Sequence, residues 1–205
     1  MAVNNLKLKK MKTLYFTIAL MFITSITLNA QDRKNSASAG IKGGYNLSSV
    51  SFDGTSETSN LHGFHIGIYG ESYVGKHIAI QPEILYSQQG YKIVDENGTY
   101  TQKLEYINVP VMLKMYPVKS FFIEAGPQIG FSISHKETFD AGFVLYDTEQ
   151  EFEPSNFDWG VNVGAGFKSD SGVSLGARYH IGQSDIYDQD KPKNRVVQIY
   201  LGFEF

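Results

Sequence analysis

The last twelve residues of the chain, 194–205, alternate apolar side chains with other side chains and end on a phenylalanine. In an extended strand, the apolar members of this segment share one face: Val197, Ile199, Leu201, Phe203 and Phe205. A strand at the end of a chain needs partners along both of its edges, and a closed barrel supplies them. The ending therefore predicts a β-barrel that is closed by its last strand.

The amino terminus has the pattern of a secretory signal peptide. Four lysines precede an apolar run over residues 14–28, and Asn29-Ala30-Gln31 follows it. Because the run is shorter than the ~20 residues of a membrane helix, we expect cleavage after Ala30 rather than anchoring. Either Met1 or Met11 fits as the start. The predicted organisation is a signal peptide over residues 1–30, a short segment over 31–37, and one barrel domain over 38–205.

Composition narrows the class of protein. Twenty glycines, 14 phenylalanines and 13 tyrosines favour β structure, and the lack of cysteine excludes disulfide scaffolds and thiolate metal sites. The formal net charge of -3 argues against a nucleic-acid partner. A membrane-spanning barrel is compatible with this composition, because its strands alternate and leave no long apolar run.

Eight alternating segments follow the signal peptide: 39–47, 64–71, 78–89, 106–115, 121–133, 157–168, 173–182 and 194–205. The connections alternate between long and short, beginning with 48–61 and 74–76, and Asn97-Gly98 marks a hairpin tip inside the long connection 92–103. Outer-membrane barrels combine short periplasmic turns with longer external loops. The pattern predicts an eight-stranded antiparallel transmembrane β-barrel, an up-and-down meander with both termini on the periplasmic side. In such proteins Phe203 and Phe205 would act as the assembly signal.

The two faces of the strands indicate which side meets lipid. The polar face is rich in glycine, serine and asparagine, and the apolar face carries aromatic residues near strand ends, such as Tyr45 and Trp159. Small residues suit a crowded interior, and aromatic residues suit the two membrane interfaces. We therefore expect lipid outside the barrel. A soluble periplasmic barrel would instead turn its apolar face inward around a ligand.

Charged residues on the polar face are expected to form a network that fills the lumen, since isolated buried charges are costly. Its predicted members are Lys42, Glu71, Glu83, Lys114, Glu124, Asp158, Arg178 and Glu204. We expect Glu83 to contact Lys114 on the adjacent strand, with Glu124 and Arg178 as further members. This network predicts a lumen that is largely plugged. A proton or ion path through it is the alternative.

Two segments carry a family resemblance. Residues 80–90, IQPEILYSQQG, are followed by residues 104–114, LEYINVPVMLK, and Glu124-Ala125-Gly126-Pro127 lies beyond them. Together they resemble the PorT-like outer-membrane β-barrel family across nearly all of the mature chain. The resemblance implies an eight-stranded barrel, often described as a porin, without an established activity for most members. Asn108 stands where many members have glutamate, which implies one inward carboxylate fewer.

The inward histidines, His65 and His180, show no sequence pattern of a catalytic site, so we predict no enzyme, no cofactor and no metal site. The acidic segments 135–155 and 183–193 are candidates to contact a protein partner or to hold a cation. We predict a monomeric outer-membrane protein with a structural or interaction role, in contact with membrane lipid and the barrel-assembly machinery. A small passive porin is the first alternative, and the soluble periplasmic carrier is the second.

Overall fold

The computed structural model describes residues 37–51, 59–95, 98–140, 145–146, 157–185 and 193–205. Its strands are β1 (Ala37–Ser51), β2 (Ser59–Tyr73), β3 (Ile78–Asp95), β4 (Gly98–Val118), β5 (Phe121–Asp140), β6 (Leu145–Tyr146), β7 (Phe157–Lys168), β8 (Val173–Gly182) and β9 (Lys193–Glu204). Residues 38–205 form one compact unit. Within the described ranges, no helix is long and apolar enough to cross a bilayer. The predicted signal peptide lies outside the described residues.

Eight of these strands form a closed antiparallel ring in the order β1, β2, β3, β4, β5, β7, β8, β9. The ring closes where β9 pairs with β1, and Phe203 lies opposite Ile41 in that register. This arrangement confirms the predicted eight-stranded up-and-down barrel. The two-residue strand β6 lies outside the ring and pairs only with the end of β5, opposite Phe139 and Asp140. The sequence analysis did not predict it.

The apolar face of the strands points outward, and the polar face points into the lumen. On β4, Leu113 is 54% exposed, whereas the adjacent Lys114 is only 2% exposed. Aromatic side chains pair on the outer surface near both ends of the barrel. Phe131 packs on Phe157 toward one end, and Phe121 packs on Phe167 toward the other. This surface has the apolar band and aromatic girdles that a lipid-facing barrel requires.

The two ends of the barrel differ in their connections. At the short-turn end lie residues 74–77, 119–120 and 169–172, together with the start of β1 and the end of β9. At the opposite end, the long-loop end, the strands extend furthest beyond their predicted limits. In particular, β3 continues to Asp95 and β4 begins at Gly98, so the predicted connection over 92–103 is wrong.

Backbone pairing explains these longer strands. Interstrand hydrogen bonds use only main-chain groups, so a ladder can continue after the alternation of apolar side chains has ended. Tyr91 and Leu104 lie within this extension, and they pack with Val50 and Tyr106 in a buried apolar cluster at the long-loop end. The last pair of the hairpin is Asp95 with Gly98. The predicted tip was Asn97-Gly98; Asn97 lies outside the described residues, and Gly98 is the first residue of β4.

Candidate functional site in the barrel lumen

Inward-facing side chains from the ring strands fill the lumen with polar groups. All eight predicted network residues face inward, and seven of them are at most 4% exposed. The eighth, Glu204, has a side chain that is 18% exposed at the short-turn end. All of them except Asp158, together with Lys168, form two clusters, one at the centre of the barrel and one toward the short-turn end.

The central cluster is organised around Arg178 on β8. Its Nε and Nη2 atoms donate to the Glu124 carboxylate on β5, at 2.9 and 3.1 Å. Its Nη1 and Nη2 atoms donate to the Glu83 carboxylate on β3, at 2.9 and 2.8 Å. In the ring of eight, β3 and β8 are four strands apart in either direction. The Arg178–Glu83 pair therefore bridges opposite walls of the barrel.

Three further side chains complete the central cluster. Lys42 donates to Glu83 at 2.8 Å, and its ammonium group lies 4.0 Å from the centre of the Tyr200 ring. The Tyr200 hydroxyl donates to Glu124 at 3.1 Å, and Gln81 donates to Glu83 at 2.6 Å. Two carboxylates thus face two cations, and hydrogen bonds satisfy them. This balance is what makes buried charges tolerable in a dry interior.

The second cluster surrounds Glu71 on β2. Its carboxylate accepts from Lys114 at 2.9 Å, from Lys168 at 2.7 Å, and from the Tyr116 hydroxyl at 2.9 Å. Lys168 also donates to Glu204 at 2.6 Å. Because β2 and β7 are opposite strands of the ring, the Lys168–Glu71 pair is a second bridge across the lumen. Two carboxylates again balance two cations.

The predicted contact between Glu83 and Lys114 is wrong. The register places Lys114 opposite Ala79, and its ammonium group bonds to Gln81 and Glu71. Glu83 is bonded instead by Lys42 and Arg178. Asp158 also lies apart from both charged clusters. Within the described part of the chain, it forms no ion pair with a lysine or arginine, and its neighbours are His180, Ser184 and Asn194.

Amide groups hold both buried histidines in place. His65 Nδ1 lies 2.7 Å from the Asn46 amide oxygen, and the same oxygen accepts from Gln198 at 3.2 Å. His180 Nδ1 lies 2.9 Å from the amide oxygen of Asn162. These contacts orient the rings within the wall of the barrel. At Nδ1, both rings thus have an amide partner rather than the carboxylate that orients a catalytic base. The carboxylate near His180, that of Asp158, lies 3.5 Å from the other ring nitrogen, Nε2.

Glycines on the inner wall make room for large side chains that lie across the lumen. A methyl group added at Gly176 would overlap the ring of Tyr200. One added at Gly166 would meet the end of the Phe122 ring at 2.5 Å. Both rings are buried in one apolar cluster with Ala79 and Tyr116. Aromatic rings and bridged charges thus occupy the same levels of the lumen.

The chain ends beside the short-turn end of the wall. Phe203 is half exposed on the outer face and pairs with Ile41 and Val173. Phe205 is 82% exposed, and its backbone amide donates to the Ala39 carbonyl at 2.9 Å. Both side chains are accessible at the surface. Their role as an assembly signal remains a prediction.

Four network members were not among the predicted site residues: Gln81, Tyr116, Lys168 and Tyr200. All four lie on the polar face of their strands, and Lys168 is the last residue of the predicted segment 157–168. The signal that identifies the two tyrosines is their position on that face. A large hydroxyl-bearing ring facing a narrow polar lumen requires a hydrogen-bond partner there.

Comparisons with known proteins agree with this architecture. A family model described as "Outer membrane protein beta-barrel domain" matches residues 29–188. The chain is similar in fold to the attachment invasion locus protein Ail of Yersinia pestis. The two share 14% identity and a TM-score of 0.51, over 83% of this chain and 99% of that one.

Two further solved structures align over much of the chain. Neisserial surface protein A shares 16% identity, with a TM-score of 0.47 over 82% of this chain and 96% of that one. OprG of Pseudomonas aeruginosa shares 13% identity, with a TM-score of 0.45 over 83% of this chain and 97% of that one. No curated protein sequence matches the chain.

Proposed function

The chain belongs to the outer membrane protein β-barrel domain family, and from this premise we propose that it is a plugged barrel with a structural or interaction role. The family match and the similarity in fold to Ail confirm the predicted location in the outer membrane. A soluble periplasmic carrier is therefore wrong. Two functions fit this location: conduction of solutes through the barrel, and presentation of the external loops to a partner.

The observation that carries the proposal is the pair of bridges across the lumen. Arg178 joins β8 to β3, and Lys168 joins β7 to β2, so each bridge connects opposite walls at its own level. Eight-stranded barrels are just wide enough for side chains to fill, whereas secure aqueous channels have about 16 strands. A passive porin requires these bridges to open. It is the second candidate because the charged side chains that form the bridges would line a conducting route.

We also propose that the protein is not an enzyme and that it belongs to the PorT-like branch of these barrels. The amide partners of His65 and His180 support the first proposal. The Gln-Pro-Glu segment at 81–83 and the Val-Pro-Val segment at 109–111 support the second. Both segments lie on β3 and β4, where Glu83 contributes to the central cluster.

The external connections are the proposed contact surface. With the lumen bridged, the candidates for contact are the connections at the long-loop end and the acidic residues around Asp147 and Glu151 in the sequence. Those residues lie outside the described ranges. Aromatic residues accompany the acids in this segment, among them Tyr146. A protein surface with basic and apolar groups is the partner chemistry that this composition favours.

Photo-crosslinking in the bacterium that makes the protein tests this interaction role. A photoreactive phenylalanine analogue replaces Tyr146 on β6 or, as a matched control, Phe131 in the lipid-facing girdle. We expect a protein adduct of discrete mass from position 146 and none from position 131. If position 146 forms no adduct, a structural role is favoured over interaction through this loop. If the same adduct appears at both positions, the contact does not depend on the loop.

A further inference from the structure

Asp158 is a buried carboxylate that no lysine or arginine neutralises within the described part of the chain. It is the second residue of β7, in the long-loop half of the lumen, and it is 3% exposed. It accepts from the Ser184 hydroxyl and, at 3.3 Å, from the Asn194 amide nitrogen. Arg195, which follows Asn194 on β9, directs Nη1 to the backbone carbonyls of Gly182 and Asn194. A buried charge whose hydrogen-bond donors are all neutral is costly. The carboxylates of the two charged clusters differ, because they are paired with lysine or arginine.

His180 presents a second unsatisfied group beside this carboxylate. The Asn162 amide nitrogen donates to Gln128 at 3.1 Å and to the Met112 sulfur at 3.8 Å, so the Asn162 oxygen faces His180 Nδ1. That oxygen accepts, so Nδ1 carries the proton and, in the neutral ring, Nε2 carries a lone pair. Nε2 lies 3.5 Å from Asp158 Oδ2 and has no hydrogen-bond partner among the described residues.

Two buried amide oxygens near Asp158 also lack a hydrogen-bond partner among the described residues. One is Asn194 Oδ1, whose own amide nitrogen contacts the Asp158 carboxylate. The other is Asn108 Oδ1, which lies over Gly130, the residue paired with Asp158 across β5 and β7. Both asparagines are 1% exposed. Acceptor atoms from β4, β7, β8 and β9 thus lie in this part of the lumen, and no lysine or arginine among the described residues pairs with the Asp158 carboxylate.

We propose that Asp158 and His180 bind a divalent transition-metal ion of the zinc class in the outer half of the lumen. Two ligands that are each about 2.0–2.1 Å from a tetrahedral zinc ion lie about 3.4 Å apart, and Nε2 and Oδ2 are 3.5 Å apart. Imidazole with carboxylate suits such ions. Asn162 supplies the hydrogen bond to the second ring nitrogen that metal-binding histidines ordinarily have.

The rest of the coordination would come from weaker ligands. The described residues contain no group of three histidine, cysteine, aspartate or glutamate side chains that could hold a metal. The amide oxygens of Asn108 and Asn194, with water, would complete the set. An ion would have a short path from the external end of the barrel to Asp158. Asp158 accepts a hydrogen bond from Ser184, which is half-buried at that end of the wall. A metal site at Asp158 and His180 was not expected from the sequence.

Metal titration of the refolded mature barrel tests the proposal. Zn²⁺ binding is measured by calorimetry, and Co²⁺ reports a His ligand through its visible spectrum. We expect one ion per barrel, and Asp158→Asn and His180→Gln should each raise the Kd at least about tenfold. His65→Gln is the matched control. His65 is equally buried and also has Nδ1 against an asparagine oxygen, but it forms no ion pair with a carboxylate within the described residues. This variant should keep the parent Kd.

Two results would overturn the proposal. In the first, the parent and both site variants bind Zn²⁺ equally, so the metal occupies only external carboxylates. In the second, nitrogen NMR of the parent at neutral pH shows both ring nitrogens of His180 protonated and unchanged by Zn²⁺. A proton on Nε2 would then neutralise Asp158. Because the NMR measurement uses the unaltered barrel, it decides the question even if a site variant fails to fold.

Discussion

The Arg178→Ala variant is expected to lose about 3–5 kcal/mol of its free energy of unfolding, because removing one partner of a buried ion pair leaves the other charge uncompensated. Here two carboxylates, Glu83 and Glu124, would lose four hydrogen bonds from one guanidinium. Lys42 alone would remain to balance them. Urea unfolding in lipid vesicles measures the loss. Trp159, the only tryptophan, reports it by fluorescence from the lipid-facing surface.

Two comparisons isolate the electrostatic cause. The double variant Arg178→Met, Glu124→Gln removes one cation together with one carboxylate and leaves Glu83 paired with Lys42, so it should recover part of the lost stability. Lys119→Ala removes an ion pair whose side chains are 82% and 77% exposed, and it should cause no measurable change. If Arg178→Ala loses no more than Lys119→Ala, the central cluster does not hold the barrel walls together.

A methyl group placed at Gly176 should destabilise the barrel by about 1–3 kcal/mol, the usual range for an overpacked core. The three nearest atoms to an added Cβ all belong to the Tyr200 side chain, whose ring lies across the glycine and whose hydroxyl donates to Glu124. The cost should therefore depend on that ring. We expect Gly176→Ala to cost less than about 1 kcal/mol when Tyr200 is already alanine, because the space is then free.

The control for this cycle is Gly75→Ala in a short turn. A Cβ there meets no atom within 4 Å, so its unfolding midpoint should match that of the parent. The four proteins of the cycle and the control are compared by urea midpoint and by heat-modifiable gel migration. An equal cost of Gly176→Ala with and without the Tyr200 ring would show that the ring does not fill this level of the lumen.

The faces of the strands were predictable from sequence, whereas the strand ends were not. Alternation has a period of two, so Leu113 outward and Lys114 inward follow from the pattern alone. Past the apolar band, the ladder is held by main-chain bonds that any residue except proline can make. The sequence of β3 beyond Gln89 therefore gave no signal that the strand runs to Asp95.

The network residues were predictable as a set, but their partners were not. The alternation showed which charged side chains face the lumen, and buried charges in a narrow lumen have to pair. Pairing Glu83 with Lys114 assumed contact between adjacent strands. In a barrel of eight strands, a long side chain reaches the opposite wall as easily as it reaches an adjacent strand. Arg178 does so by contacting Glu83. The relative heights of residues on opposite walls depend on the stagger of the closed ring, which alternation does not specify.

Ion conductance of the refolded barrel in planar bilayers tests the central claim most directly, after heat-modifiable migration shows that the barrel has formed. The bridges made by Arg178 and Lys168 predict no stable single-channel steps from the parent protein. The same bilayers should conduct when a known porin is added. Reproducible steps from the folded parent would contradict a plugged lumen, and would make Glu83, Lys114 and Arg178 residues of a conducting path.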